Sequence, residues 1–519
     1  MTEPGVSGIS IYVPRLCVQL EQWCAWTGNS WDKIRAVVGR SFRVPAPRES
    51  VYTMSANAVL RLIDAYSIDP QSVGYLALGT ESSTDNCTGA VIVKGMVNDA
   101  LIAQGAAPLS RACEVPEFKQ ACLAGISALK GAVRYLAYDG QGRTAIVVSA
   151  DIAEYERGSS GEQTQGAGAV AFLVEPEPKL FSVDLKRSGT ASDYRILDFR
   201  KPTARHFLRG YEPGTSRVHD FPVFNGKYST ACYLDETVMA ADTMFRRRGV
   251  TSHCAAYDGM AAILFHRPYH RMPVQAMAAM YIWGLVHDPA QHPKLRELCL
   301  AAEVEFHQVL AESETAPRLG ALVLRRGVDH DAAPYTHRLV TSFRKSSQFR
   351  QFQAEKMCLG ADKTMDLGNL YAASIPACTA AALEQALETG VDLAGREMLA
   401  MGYGSGDAAD AIPFRVVEGW EVAAKNIRFS AALAGAIDLS REEYEQLHDR
   451  GVLVGTDGAC GTVASGGTGG SGGTGGSGGT AQRGRADLVS SGEFVVDRVG
   501  DQDTPRFQDI GIEYYRYVP

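Results

Sequence analysis

The chain of 519 residues contains no CxxC pair, although it carries 11 cysteines. They stand at Cys17, Cys24, Cys87, Cys113, Cys122, Cys232, Cys254, Cys299, Cys358, Cys378 and Cys460, an odd number at scattered spacings. That pattern argues against a disulfide framework or a structural zinc site, and reduced thiols are the expectation. No run of lysine and arginine stands out, and the net charge is -8 with a pI of about 5.8, so the footprint of a nucleic-acid binder is missing. No segment approaches the roughly 18 consecutive apolar residues of a membrane span. The opening "MTEPGVSGISIYVP" lacks a basic n-region and a long apolar h-region. No secretory leader and no membrane association are therefore expected, and a cytoplasmic location is. What is present is a globular composition, 45% hydrophobic and 21% charged, with material for a large core.

Short apolar runs alternate with helical patterns. "VGYLALGTES" (73–82) ends in Gly, Thr and Glu, and "RTAIVVSADIA" (143–153) ends near Ser and Asp. "GAVAFLVEP" (168–176) follows a glycine-rich turn; "AAYDGMAAILFHRPYH" (255–270) ends in His-Arg-Pro; "GREMLAMGYGSGDAADA" (395–411) runs into Gly-Ser-Gly. Between them, Leu123, Ile126, Leu129, Val133 and Leu136 fall at spacings of three and four, one face of a helix. Residues 51–66 and 377–387 have the same character. The alternation predicts an α/β fold, and strands apolar throughout predict sheets covered on both faces. The tract "ASGGTGGSGGTGGSGGTAQRGR" (464–485) cannot bury apolar surface and reads as a flexible linker. The strand-like "GEFVVDRVG" after it suggests that the tail rejoins the domain.

Three residues carry candidate chemistry. Cys122 stands where a polar segment, "EFKQ", gives way to a helical apolar face, and a thiol at a helix start is expected to have a lowered pKa. The small Ala121, Ala124 and Gly125 beside it would let another backbone, or a substrate, come close. The alternative is a buried core cysteine. Glu81 ends an apolar strand in "LGTESSTDN", as a general acid/base or as one member of a helix-capping cluster. His266 ends another, in "ILFHRPYHRMP", as a proton carrier or carbonyl donor, or as a satisfied structural residue. "GSG" at 404–406 either presents N–H groups to an oxyanion or is a plain turn. Together a Cys, a Glu and a His at separate strand ends form a coherent set for acyl transfer.

The residues that follow resemble one family. "GTESSTDN", "KQACLAG", "SADIAEYERGSSGEQTQGAGAVAFLV", "DFRKP" with "PVFNGKYSTACYL", "FHRPYHRM", "LGNLYAAS" and "YGSG" occur in the order found in 3-hydroxy-3-methylglutaryl-CoA synthases, members of the thiolase superfamily. The resemblance implies a thiolase-like fold: two similar βαβαβαββ halves forming a five-layered αβαβα body, with the nucleophile helix between sheets. It implies an N-terminal half at 1–175 with Glu81 and Cys122, and a C-terminal half at 176–460 with His266. The linker at 464–485 and a tail at 486–519 would follow.

By the same resemblance Glu81, Cys122 and His266 are catalytic. Thr164, Tyr269, Arg271, Asn369, Tyr371 and Ser405 contact substrate or CoA. The substrates implied are acetyl-CoA and acetoacetyl-CoA, with no cofactor or metal, and the assembly is a homodimer. Three departures stand out. Leu123, Ala124 and Gly125 replace an aromatic and paired glycines after the nucleophile, which is expected to alter the wall of the acyl pocket. Arg271 replaces a lysine, and Gln275 replaces a second cation. The competing readings are a polyketide β-branching synthase that uses acyl carrier protein thioesters, a thiolase or ketoacyl synthase, and a non-catalytic thiolase-like scaffold. The cations at Arg200, Lys201, Arg205, Arg209 and Arg217 would serve CoA or a carrier protein, or form a solvated face.

Overall fold

The computed structural model describes residues 3–83, 85–199, 221–223, 225–314, 319–453, 490–504 and 507–519. The linker at 464–485 and the basic stretch at 200–217 lie outside them.

The first half of the chain reads β1 (Gly5–Tyr12), α1 (Val51–Tyr66), β2 (Val73–Gly79), α2 (Gly89–Ala103), β3 (Glu117–Phe118), α3 (Ala124–Tyr138), β4 (Thr144–Ala153) and β5 (Gly166–Glu175). The second contributes β6 (Phe181–Val183), β7 (Gly189–Ser192), α4 (Gly226–Arg248), β8 (Ala262–Phe265), α5 (Met272–Val286), α6 (Pro334–Phe343), α7 (Ser374–Thr389), β9 (Glu397–Gly404) and β10 (Ala408–Val416). Helices fill most of the chain between α5 and α7, and no strand stands there among the described residues. The second half is thus less regular than the first. The ten strands pair in the order β8-β9-β10-β6-β1-β5-β4-β2-β3, with β7 added beside β10. The short β6 joins the two groups: Gly5 lies opposite Ser182, and Phe414 opposite Val183.

Strand alternation explains the layers. On β2, Leu76 and Leu78 join a core with α1 and α2, whereas Tyr75 and Ala77 face the core of α3 and α7. On β9, Met398 and Ala400 face that same α3/α7 core, and Leu399 and Met401 face α4 and α5. The layers therefore run α1/α2, first strand group, α3/α7, second strand group, α4/α5. The α3 stripe of Ile126, Leu129 and Val133 meets strands on both sides, which is why every one of those positions must be apolar.

Close approach around α3 is made by backbone. A Cβ on Gly79 would stand 2.7 Å from the Ala124 carbonyl carbon, and one on Gly125 would collide with the Ala372 carbonyl oxygen and the Ser149 hydroxyl. Gly125→Ala is expected to lose about 1–3 kcal/mol of stability, the usual penalty of overpacking, because a carbonyl cannot turn aside as a side chain can. Urea unfolding of the two proteins measures it, and an unchanged midpoint would refute the contact.

The tail forms a hairpin, β11 (Glu493–Val499) with β12 (Glu513–Val518), that docks on the first half. Phe494 N–H donates to Asn57 Oδ1 at 2.7 Å, and Val496 N–H donates to the Arg48 carbonyl at 2.9 Å.

Candidate active site

The polar strand ends and the start of α3 converge on one cavity of about 370 Å³. Cys122, Thr164, His266, Tyr269, Asn369, Tyr371 and Ser405 all line it. Glu81 stands behind the thiol, with its Oε2 3.5 Å from Cys122 Sγ. Arg271 is not on the cavity wall; it is the residue preceding α5.

Cys122 is delivered by a turn. Ala121 adopts a left-handed φ of 46°, and Leu123 is the N-cap of α3, so the thiol precedes the helix proper. A non-glycine residue there costs of order 1–3 kcal/mol, which the packed surroundings must hold. Tyr155 and Tyr371 pack against the cysteine, and Phe199 closes the group with ring centroids 5.9 and 5.8 Å from them. These rings, brought together from three separate segments, contribute to the burial of Cys122.

The expected lowering of the Cys122 pKa is not found. The thiol is 8% exposed, and burial together with the Glu81 and Asp151 carboxylates pushes it well above the ordinary thiol value. Desolvation and two negative charges outweigh the partial charge of one helix end. Cys122 therefore rests as a thiol that can hand its proton to Glu81. The residues after it also behave otherwise than expected. Leu123 is buried against Gly402 and Gly404 of β9, and neither it, Ala124 nor Gly125 borders the cavity. They serve the packing between the strand groups rather than the acyl pocket.

Asp151, at the end of β4, organises the floor. Its Oδ1 accepts from the Thr80 hydroxyl (2.8 Å), Glu81 N–H (2.8 Å) and the Ser82 hydroxyl (2.7 Å), and its Oδ2 accepts from Ala372 N–H (2.8 Å). One carboxylate thus fixes the Glu81 backbone and the 369–373 turn together. Burial raises it to about 6. The Asn369 N–H donates to the Thr164 carbonyl at 3.1 Å, and its side-chain oxygen accepts from Tyr371 N–H at 2.9 Å.

His266 is 1% exposed, and burial lowers its pKa to about 3. It is a neutral imidazole at physiological pH, and its Nδ1 has no partner among the described residues. Its backbone is fixed at both ends: its N–H donates to the Met401 carbonyl, and its carbonyl accepts from the Tyr233 hydroxyl, each at 2.8 Å.

Beyond the residues expected from sequence, the cavity is lined by Tyr155, Asp198, Phe199, Lys227, Tyr233 and Tyr403. Asp198 and Lys227 lie within the quoted "DFRKP" and "GKYST" segments, which were the available signals. Asp198 belongs to a buried acid pair. The Tyr403 hydroxyl lies 2.8 Å from Asp198 Oδ2 and 2.9 Å from Asp407 Oδ1. One phenol hydrogen can serve only one of them at a time, and although the Gly406 N–H also donates to both, repulsion between the two acids across the phenol favours a proton held on the pair. Burial and the neighbouring Asp198 raise Asp407 to about 9. Arg195 does not relieve this, because it also faces Asp193, Asp235 and Glu236. The sign for stability follows. Between about 4, where an unfolded Asp ionises, and about 9, the native state binds the proton that the unfolded state has lost. Stability contributed by this site therefore falls as pH rises through that window. Asp407→Asn is expected to raise the Tm at pH 8, with the gain vanishing toward pH 4. Thermal melts across that range test it, and a pH-independent difference would contradict the shared proton.

A family model described as "Hydroxymethylglutaryl-coenzyme A synthase N terminal" matches residues 2–179. The hydroxymethylglutaryl-CoA synthase of Haloferax volcanii is 27% identical over 454 residues, covering 86% of this chain and 92% of that one. A solved structure of MvaS in complex with 3-hydroxy-3-methylglutaryl coenzyme A superposes with a TM-score of 0.70 at 23% identity, covering all of both chains. The HMG synthase of the curacin biosynthetic pathway, solved in complex with holo donor-ACP, gives 0.61 at 21% identity over 86% of this chain and 88% of that one. The fold is thiolase-like, as the layer order derived above requires.

Proposed function

Because the chain belongs to the hydroxymethylglutaryl-CoA synthase family of the thiolase-like superfamily, we propose that it condenses acetyl-CoA with acetoacetyl-CoA to 3-hydroxy-3-methylglutaryl-CoA through an acetylated Cys122. The observation that carries this reading is the Cys122–Glu81 contact of 3.5 Å at the end of a cavity that also holds His266 and Asn369.

On this reading the steps are as follows. Glu81 takes the proton of the Cys122 thiol as sulfur attacks the acetyl carbonyl. The N–H groups of Cys122 and Ser405 are the donors for the tetrahedral oxyanion. CoA departs as a thiolate and takes the proton, which restores the Glu81 carboxylate. Glu81 then removes a proton from the methyl of the acetyl thioester, and the carbanion adds to the ketone of acetoacetyl-CoA. His266, held neutral by burial, donates a hydrogen bond to the ketone oxygen as it becomes an alkoxide, and the alkoxide then takes the proton that Glu81 removed, which restores the carboxylate. Asn369 and Tyr371 set the position of the acceptor; Thr164, Tyr269 and Arg271 hold the carrier arm. Water releases the product from Cys122. The thioester supplies the activation, so these steps call on no metal, nucleotide or flavin. The same proposal places a homodimer in the cytoplasm, feeding mevalonate-type isoprenoid metabolism. No helix among the described residues is long and apolar enough to cross a membrane.

A second reading has an observation of its own. The likeness to the curacin-pathway synthase solved with a donor carrier protein favours carrier-bound thioesters as substrates. Two measurements decide. Peptide mapping after brief exposure to acetyl-CoA should find the acetyl group on Cys122, and a label mainly on Cys113 or Cys87 would overturn the assignment. Steady-state turnover should proceed with free acetoacetyl-CoA at micromolar concentrations; activity confined to the carrier-bound acceptor would establish the second reading instead.

A further inference from the structure

The helix α8 (Arg441–Arg450) follows the ten-stranded sheet in sequence and is bonded to the loop between β4 and β5. That loop supplies Tyr155, Ser160, Gln163 and Thr164 to the cavity wall, and the Tyr155 ring packs against Cys122. The helix is well closed at its ends. Ser440 and Glu443 form a capping box, and Gly451 takes the left-handed C-cap conformation with φ 67°.

Both backbone groups of Tyr155 are held. Its N–H donates to Gln165 Oε1 at 3.0 Å, and its carbonyl lies 2.8 Å from His448 Nε2. A carbonyl can only accept, so Nε2 carries a ring hydrogen. Gln165 is itself tied to α8: its amide donates to the Tyr444 hydroxyl at 2.8 Å, and that hydroxyl donates to Glu162 Oε1 at 2.9 Å. Glu162 also accepts from Gly158 N–H at 2.6 Å and from the Trp23 indole at 3.1 Å. The His448 ring stacks on Phe221 with centroids 5.5 Å apart, and its Nδ1 lies 2.9 Å from Asp449 Oδ1, which fixes the ring plane. His448, Tyr444, Glu162 and Gln165 are each no more than 3% exposed.

Docking α8 does not require this network. Leu439, Leu447 and Leu453 already join the core of Leu16, Leu20 and Trp23. Buried polar groups are costly unless each finds a partner. Here the partners converge on the backbone of one residue, the one whose ring lies against the nucleophile. We propose that α8 positions the Tyr155 ring at Cys122, with His448 and, through Gln165, Tyr444 as the positioning residues. Neither His448 nor Tyr444 lines the cavity, so both act through the loop. What Tyr155 contributes to turnover rests on the synthase reading; where the helix holds it does not.

Alkylation by iodoacetamide, mapped cysteine by cysteine on the full chain, provides the test. His448→Asn places an amide where Nδ1 stands and leaves the Tyr155 carbonyl without its donor, whereas the amide of His448→Gln reaches the Nε2 position with an N–H. Cys122 should react about tenfold faster in His448→Asn than in the unaltered protein, the scale on which one lost hydrogen bond raises a locally opened population. His448→Gln should fall between the two. Cys254 and Cys299, buried in the core around α4 and α5, should keep their slow rates throughout. A histidine that served stability alone would raise all three cysteines together. Tyr444→Phe removes a single oxygen and keeps the ring, and it too should raise the rate at Cys122 alone; it decides the matter if the His448 variants do not fold. An unchanged Cys122 rate in the folded variants, parallel rises at Cys254 and Cys299, or equal rates for His448→Asn and His448→Gln would overturn the proposal. Acetylation of the unaltered protein by acetyl-CoA separates the two readings. If Cys122 is acetylated while its alkylation ignores the variants, the synthase reading stands and the role of α8 falls. If it is not acetylated, the synthase reading falls and the alkylation rates still decide the positioning.

Discussion

Alanine at Cys122 is expected to abolish condensation, with turnover falling on the order of 10⁴-fold or more, the scale on which loss of a nucleophile is felt. Nothing else in the cavity can take over. Among the described residues the lining contains no second thiol, and the buried Cys232 is itself raised far above its ordinary value by burial and the Asp407 and Asp198 carboxylates. The fold should survive. Only one sulfur is removed, and the raised pKa means that the site already tolerates an uncharged group there. A shift in Tm of a few degrees at most is expected. Cys122→Ser should be nearly as inactive, because a hydroxyl is far harder to ionise beside two carboxylates than a thiol is. Turnover with acetyl-CoA and acetoacetyl-CoA, combined with intact-protein mass spectrometry, checks this. Retained activity, or an acetyl adduct on the alanine protein, would remove Cys122 from the mechanism.

The elements that position the site are legible in the sequence because their periodicities are strong. The helix expected from Leu123, Ile126, Leu129, Val133 and Leu136 is observed over 124–138, and the apolar runs at 73–82, 143–153 and 168–176 are strands. Strand ends at Glu81 and His266 were legible for the same reason: an apolar run that stops in a polar residue places that residue at the edge of a sheet. The alternation also pointed to strands covered on both faces, as the cores on either side of β2 and β9 show.

What failed to show depends on contacts between distant segments. A helix start alone suggested a reactive thiolate at Cys122. The opposite arises from Asp151 on another strand and from the ring of Tyr155, Phe199 and Tyr371, which no local pattern joins to the cysteine. Leu123 follows the nucleophile directly, and a linear reading put it in the acyl pocket. The helix turns it toward β9 instead. The Asp198–Asp407 pair depends on a tyrosine between two segments that are far apart in sequence. Periodicity reports which face of an element is buried; it does not report which charge lies across the gap.

The Glu81→Gln protein should show two effects of opposite sign. Condensation should fall by about 10² or more, the range for a positioned general base. Cys122 should meanwhile become easier to ionise. The Glu81 carboxylate, 3.5 Å from the sulfur, is one of the charges that raise the thiol, and the amide keeps the shape while removing the charge. A negative neighbour disfavours the thiolate, so its loss lowers the thiol pKa, although burial and Asp151 still hold it above the ordinary value. The pH profile of alkylation by iodoacetamide should therefore move to lower pH, and Cys122 should react faster at pH 7 than in the unaltered protein. Acetylation by acetyl-CoA should slow, because the amide cannot take the thiol proton, yet it should still outrun condensation, so that product formation stalls at the acetyl-enzyme. A purely structural Glu81, a capping residue, would give neither the shifted alkylation profile nor the accumulated acetyl-enzyme. Near-normal turnover of Glu81→Gln would reduce it to that role, and an unshifted alkylation profile would mean that the carboxylate does not face the thiol in solution.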